Sequence, residues 1–168
     1  MQNSVTLAAN VARVFRPDGK NYTKITFSHN GIRLYATVWD KEFSAERNQA
    51  VMISGQIRIN SWHDRKTSKM RSSLIVEIDN VGVIPKTNNH YCSVNICGVV
   101  THVKDNAFMV KTQNKFGKKK EKHVLFLGTP PELGSTIMTI MNDGTGISGT
   151  PNGFKSQAAV RTDWIKVK

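Results

Sequence analysis

The chain has 168 residues, 39% of them hydrophobic, and 24 Lys and Arg against 12 Asp and Glu give a formal charge of +12 and a pI near 10. That length holds one ordinary domain or two small ones; no apolar run reaches the ~20 residues that span a bilayer, and the opening MQNSVTLAAN is not a secretory signal, so a soluble cytoplasmic protein with no membrane association is expected. The basic excess is divided evenly between residues 1–86 and 87–168 and suits a polyanionic partner, because each neutralised phosphate releases condensed counterions.

In chain order, a strand is predicted over Ser4–Phe15, ending at the turn Pro17-Asp18-Gly19. Tyr22–Ser28 follows, then Asn30-Gly31, the strongest short hairpin signal in the chain. The next stretch, GIRLYATVWD (Gly31–Asp40), alternates strictly: Ile32, Leu34, Ala36 and Val38 on one parity, Arg33, Tyr35, Thr37 and Trp39 on the other. Successive strand side chains point to opposite faces, so one face is aliphatic and the other offers a guanidinium, a phenol and an indole. A short polar helical piece is expected over Lys41–Gln49, then a strand over Val51–Trp62, a basic loop Ser61–Ser73 (SWHDRKTSKMRSS) and a closing strand Leu74–Ile84. After Pro85-Lys86-Thr87-Asn88-Asn89, further strands are expected near Tyr91–Lys104, Ala107–Gln113, Lys122–Gly128, Thr136–Asn142 and Ala158–Lys168. The run Lys118-Lys119-Lys120-Glu121-Lys122 reads as a long hairpin tip, and NDGTGISGTPNGFKSQ as a flexible Gly-rich connection.

Those elements repeat. SVTLAANVARV (4–14) matches SVNICGVVTHV (93–103), and VEIDNVGV (76–83) matches VRTDWIKV (160–167), in the same order and at nearly equal offsets. Five short strands per copy, with a helical piece between the third and fourth, is the order of an OB-fold, although SH3-like barrels and small sandwiches have similar strand counts. The expected architecture is all-β: two tandem five-stranded OB-fold (Greek-key) barrels, 1–85 and 91–168, with a linker at 86–90.

OB-folds bind oligonucleotides on the outer face of strands 2 and 3 and with the loops between strands 1–2 and 4–5. Tyr22, Lys24, Arg33, Tyr35 and Trp39 occupy that face in the first copy, with Arg58 and Trp62 on strand 4 and Arg65, Lys66, Lys69 and Arg71 in the basic loop. Flat rings stack on unpaired bases and cations meet phosphates. The second copy is less well equipped: its third strand, KHVLFLG, is apolar on both parities, which favours a protein contact. Its candidates are Lys118, Lys119, Lys120, Phe154 and Lys155. Cys92 and Cys97, at odd spacing, fall on opposite faces, and His90 and His102 complete no zinc spacing, so free thiols and no metal are expected. No GK[ST] follows Gly144, Gly146 and Gly149, no carboxylate pair is placed to hold a metal, and no nucleophile–His–acid set can be assembled; an enzyme is not expected, nor a cofactor.

On SVTLAANVARV, SVNICGVVTHV, GIRLYATVWD and SWHDRKTSKMRSS, the chain resembles tandem OB-fold single-stranded DNA-binding proteins of the SSB and replication-protein-A type. The resemblance implies non-enzymatic binding of single-stranded DNA with low sequence specificity, in replication, recombination or repair. Single-stranded DNA is the implied partner, with RNA the alternative, and a homo-oligomer through the second barrel is a further expected association. An OB-fold adaptor in a nucleoprotein complex is the competing reading. Bacterial members typically end in an acidic tip that recruits partners, whereas this sequence ends DWIKVK, so an accessory, phage- or plasmid-like member is the better match.

Overall fold

The computed structural model describes residues 3–39, 43, 45–86, 91–112, 122–150, 154 and 158–168. Every regular element among them is a strand: β1 (Asn3–Phe15), β2 (Tyr22–His29), β3 (Ile32–Trp39), β4 (Ala50–Asp64), β5 (Lys69–Val83), β6 (Cys92–Lys104), β7 (Ala107–Thr112), β8 (Lys122–Leu127), β9 (Thr136–Ile140), β10 (Gly146–Gly149), β11 (Ala158–Arg161) and β12 (Asp163–Lys166). No helix among them is long and apolar enough to cross a membrane.

The pairings close on themselves in the first half. β1 pairs antiparallel with β2 through its C-terminal part and with β4 through its N-terminal part. β2 pairs with β3, β3 runs parallel to β5 at Tyr35 and Ile75, and β5 pairs antiparallel with β4. The order β1-β2-β3-β5-β4 thus returns to β1. In the second half β6 pairs with β7 and β9, β7 with β8, and β8 runs parallel to β11 at Phe126 and Val160. β9 and β10 stand where one fourth strand stands in the first half, and β11 and β12 where one fifth strand stands; β9 pairs with β12 and β10 with β11. The Thr145 and Thr162 hydroxyls lie 2.7 Å apart at that break.

Pairing of β1 with β6 joins the halves, from Asn3 opposite Ile96 to Leu7 opposite Cys92. Adding the repeat offset of 89 turns Asn3 into Cys92 and Leu7 into Ile96, so exchanging the copies returns the same pairs. The contact is isologous, like that of a two-fold dimer, with Val5 and Val94 at its centre. A polar seam lies beside it. Asn3 Nδ2 donates to the Ile57 carbonyl (2.7 Å) and to Thr112 Oγ1 (3.1 Å), and Asn3 Oδ1 accepts from the Ile57 amide (2.9 Å). One continuous apolar core runs through both halves, with Phe27, Leu34, Ile53 and Ile57 on one side and Ile96, Phe108, Phe126 and Ile137 on the other.

Local sequence explains the turns. Asn30 and Gly31 both take positive φ (49° and 77°), as the tight β2–β3 hairpin requires. The helical piece expected at Lys41–Gln49 is not formed over its described part: residues 45–49 are irregular, with a turn at Arg47 and Asn48. Nine residues fall short of the ~12–15 that sustain a helix without a packed face, and Phe43 and Ala45 enter the core as irregular chain instead. Two loops also prove more ordered than expected. Most of the basic loop Ser61–Ser73 extends β4 and β5, leaving only 65–68 as the tip, and the Gly-rich connection contains β10. Cys92 and Cys97 are free; Cys92 is buried, and burial pushes its thiol up to about 12.

Candidate nucleic-acid interface

The β2–β3 ladder fixes which side chains share the outer face. Opposite pairs are Tyr22–Trp39, Lys24–Thr37, Thr26–Tyr35 and Ser28–Arg33, while Ile25, Phe27, Leu34, Ala36 and Val38 are buried on the inner face. Tyr35 is 37% exposed and Trp39 61%. The Tyr22 and Trp39 rings sit 4.9 Å apart at 53°, and Lys24 Nζ lies 5.9 Å from the Tyr22 centroid. Arg33 stands at the other end of β3, six residues from Trp39 and so roughly 20 Å away along the strand.

Between those ends lies an open groove of about 440 Å³, with Arg13, Phe15, Lys24, Tyr35, Asn60 and Ile75 among its lining. Two aromatic rings and two cations share it, the combination that stacks bases and draws phosphates. Arg13 and Phe15 were not foreseen. In β1 the apolar parity runs Val5, Leu7, Ala9, Val11 and would take Arg13 and Phe15 inward. A bulge between Val11 and Arg13 inserts one residue into the ladder and flips the parity, so both emerge on the outer face, Phe15 opposite Lys24. The sequence carries a faint signal of this: the aliphatic parity jumps from Val11 to Val14.

Beyond Asn60 and Ser73 the paired strands β4 and β5 continue as a two-stranded arm, with Trp62 opposite Arg71 and Asp64 opposite Lys69. These pairs share the parity of Asn60, which lines the groove, so the arm prolongs the groove's face outward. Trp62 is 43% exposed. Asp64 holds the tip: its Oδ1 accepts from the Lys66 amide (2.9 Å) and its Oδ2 meets Arg71 Nε at 2.9 Å. The amide bond is the main cause lowering its pKa; desolvation opposes it, and Arg71 adds to the lowering. Arg65, Lys66 and Lys69 are exposed there, whereas Arg71 is engaged by Asp64.

Not every candidate reaches this surface. Arg58 is half-buried and its Nε donates to Glu77 Oε1 at 2.7 Å. Lys122, the last residue of the basic run, begins β8 as its predicted strand does and is buried; its Nζ meets Glu77 Oε2 at 2.5 Å and also donates to Gln56 Oε1. Glu77 therefore ties Arg58 of the first half to Lys122 of the second. Burial opposes its ionisation, but hydrogen bonds from Lys122 and Arg58 outweigh this and lower its pKa. Lys118, Lys119, Lys120 and Lys155 lie outside the described residues, as do His90 and Glu121, so the expected basic hairpin tip falls there too. No group of three His, Cys, Asp or Glu able to hold a metal occurs among the described residues.

Two solved structures of the single-stranded DNA-binding protein from Thermus aquaticus, the wild type and a deletion mutant, superpose on 99% of this chain. The TM-score is 0.61 for both, with 10% identity, and 93% and 95% of those chains are covered. The chain has the fold of that protein. At 10% identity the likeness is one of fold. A murine DNA-binding protein bound to double-stranded DNA aligns with a TM-score of only 0.28, at 15% identity over 97% of this chain and 98% of that one, too loose a match to compare the folds. No family model matches the sequence, and no curated protein matches it.

Phe154, the remaining candidate, is in the second half of the fold and lines a separate groove of about 570 Å³. With it are His102, Lys104, Met109 and Leu125, facing Ile59 of β4 and Ser61 and Ser72 of the β4–β5 arm. Lys104 Nζ lies 5.2 Å from the Phe154 centroid.

Proposed function

We propose that the chain binds single-stranded nucleic acid, DNA in preference to RNA, without catalysis and with little sequence preference. The observation that carries this reading is the groove on the β2–β3 face, where Phe15 and Tyr35 stand beside Arg13 and Lys24. The closed cycle of strands in the first half and the interrupted one in the second are each read as one OB-fold barrel, 1–85 and 91–168 with 86–90 between, and strands 2 and 3 are where such barrels take oligonucleotides. Bases would stack on Phe15, Tyr35 and the Tyr22–Trp39 pair, while Lys24, Arg33 and the arm cations Arg65, Lys66 and Lys69 meet phosphates. Stacking contributes about 1–3 kcal/mol per base, so a few contacts give useful affinity. The Thermus protein is named for single-stranded DNA binding, which favours the same use of this sheet and a place in replication, recombination or repair.

The test is a titration with oligo(dT), matched duplex and matched RNA at two salt concentrations, followed by anisotropy and tryptophan emission. Preference for the single strand, with quenching and salt sensitivity, is expected. Equal, unquenched binding to duplex and single strand would reduce the interaction to charge alone.

A second association rests on a different surface. Met138 of β9 pairs with Ile165 of β12, and these two, with Ile140, are 38–44% exposed on one outer face. That apolar face is read as the contact for a homo-oligomer through the second half, and light scattering of wild type against Ile165→Glu tests it.

A further inference from the structure

The β4–β5 arm stands free of the barrel. From Ser61 to Arg71 every residue but Asp64 is exposed, whereas Ser72 and Ser73, where the arm leaves the sheet, are buried. Both faces of the ribbon are therefore wet, with Trp62, Lys69 and Arg71 on the groove's side and His63 and Met70 on the other. Its tip is nevertheless held in one shape. Asp64 accepts from the Lys66 amide and meets Arg71 Nε, both at 2.9 Å, and Ser68 turns the chain with a φ of 54°.

Charge is concentrated there. Residues 64–71 hold Arg65, Lys66, Lys69 and Arg71 against the single carboxylate of Asp64, and among the described residues Arg65, Lys66 and Lys69 form no ion pair. Trp62 stands between the first groove and this tip; unlike Trp39, it has no ring neighbour among the described residues. The shapes of groove and tip are opposite. The groove is concave and suits one strand of bases, whereas the tip is convex and offers no wall against which an unpaired strand could lie. A duplex supplies the missing concavity: its major groove, about 12 Å wide, admits a two-stranded ribbon. It also carries one phosphate per ~1.7 Å of axis, twice the density of either strand alone.

We propose that the arm takes the duplex beside an unpaired strand, so that the preferred ligand is a duplex with a single-stranded tail. This deepens the reading of the first groove given above and rests on it. The tail lies in the groove, Trp62 caps the open face of the last base pair, and the tip cations meet the duplex backbone. A terminal pair presents a flat face as an unpaired base does, and an exposed indole stacks on either. The spacing agrees with this division. From Trp62 to Arg65 is three residues, roughly 10 Å of extended chain, so a ribbon running along the duplex reaches phosphates about three pairs in from the end, at ~3.4 Å per pair.

Anisotropy with three ligands tests it: an oligo(dT) of about 10 nucleotides, within the roughly 4–16 that one barrel takes, the same tail on either strand end of a DNA stem-loop of about 8 pairs, and the blunt stem-loop. Wild type is expected to bind one of the two tailed stem-loops about tenfold more tightly than the free tail, the factor that a single stacked ring supplies. One polarity is expected because the groove has distinct ends. In Trp62→Ala, and separately in the double variant Arg65→Glu with Lys66→Glu, that ratio should fall about threefold or more, whatever is lost on the free tail itself. Both sites are exposed, so unchanged melting temperatures are expected. A wild-type ratio near one, or a ratio that either variant leaves intact, overturns the inference while the first-groove reading stands. Blunt stem-loop bound as tightly as the tailed one also overturns it, since charge alone would then account for the preference. If the free tail does not bind wild type at all, the first-groove reading fails and this inference falls with it.

Discussion

Tyr22 and Trp39 are direct partners across the β2–β3 ladder, their rings 4.9 Å apart, and the indole is nevertheless 61% exposed. A ring braced by a neighbour loses little freedom when a base stacks on it, which lowers the entropic cost of binding. The chain has three tryptophans, and Trp164 packs edge-on against Phe108, away from this pair. With Trp62→Phe and Trp164→Phe together, the emission of Trp39 alone is expected to be quenched by oligo(dT). Tyr22→Ala should weaken binding several-fold while moving the melting temperature little. Binding seen by anisotropy with no quenching would remove Trp39 from the interface.

Arg13 and Phe15 separate charge from stacking. They are two residues apart on one face of β1 and line the same groove. Arg13→Ala is expected to weaken binding and to lower the slope of log K against log salt by about 1, the signature of one lost phosphate contact. Phe15→Ala should cost about 1–3 kcal/mol of binding and leave that slope unchanged. Salt titrations of both variants check the pair, and a slope change with Phe15→Ala would mean that the groove does not work by stacking.

Parity was the most legible feature of the sequence, and it fails where parity breaks. The alternation of Ile32 to Trp39 placed Tyr35 and Trp39 outward and Leu34, Ala36 and Val38 inward, as the burial shows. Arg13 and Phe15 were hidden by a single inserted residue in β1, since a bulge reverses every side chain beyond it. The arm was read as a loop because its composition is polar, yet a hairpin whose strands pair mainly with each other needs no apolar face. Arg58 looked like Arg33 in the sequence. What distinguishes them is Glu77, which lies opposite Gln56 in the β4–β5 ladder and was invisible before the register was known.

Closure of the first cycle depends on Gly55. It sits at a register shift in β4, and a Cβ added there would lie 2.0 Å from the Glu77 carbonyl oxygen and 3.1 Å from the Ile78 Cα, both backbone atoms that cannot step aside. Gly55→Ala is expected to destabilise by about 2–3 kcal/mol, the cost of forcing backbone shifts in a packed core. Gly82→Ala, in β5, meets nothing within 4 Å and should cost under about 1 kcal/mol. Urea unfolding of the two compares them, and equal losses would mean that the close approach at Gly55 relaxes freely.

Glu77 couples the halves in a pH-dependent way. Burial opposes its charge, but Lys122 and Arg58 hydrogen-bond the carboxylate and leave the folded pKa below the ordinary value of 4.5. A group depressed in the folded state stabilises above its unfolded pKa, and that stabilisation is lost as pH falls through the folded value. The contribution is therefore full at pH 7 and fades below about 4.5. Glu77→Gln leaves the buried Lys122 ammonium without its carboxylate. Because the Glu77 side chain is 41% exposed, solvent screening trims the effect, and about 1–2 kcal/mol is expected at pH 7. Near pH 3 the unfolded chain already holds the proton on Glu77, so part of the stabilisation is gone and the gap between wild type and Glu77→Gln should narrow. Urea unfolding of both at the two pH values measures it, and a gap that stays constant would show that the Lys122 contact acts through packing and not through charge.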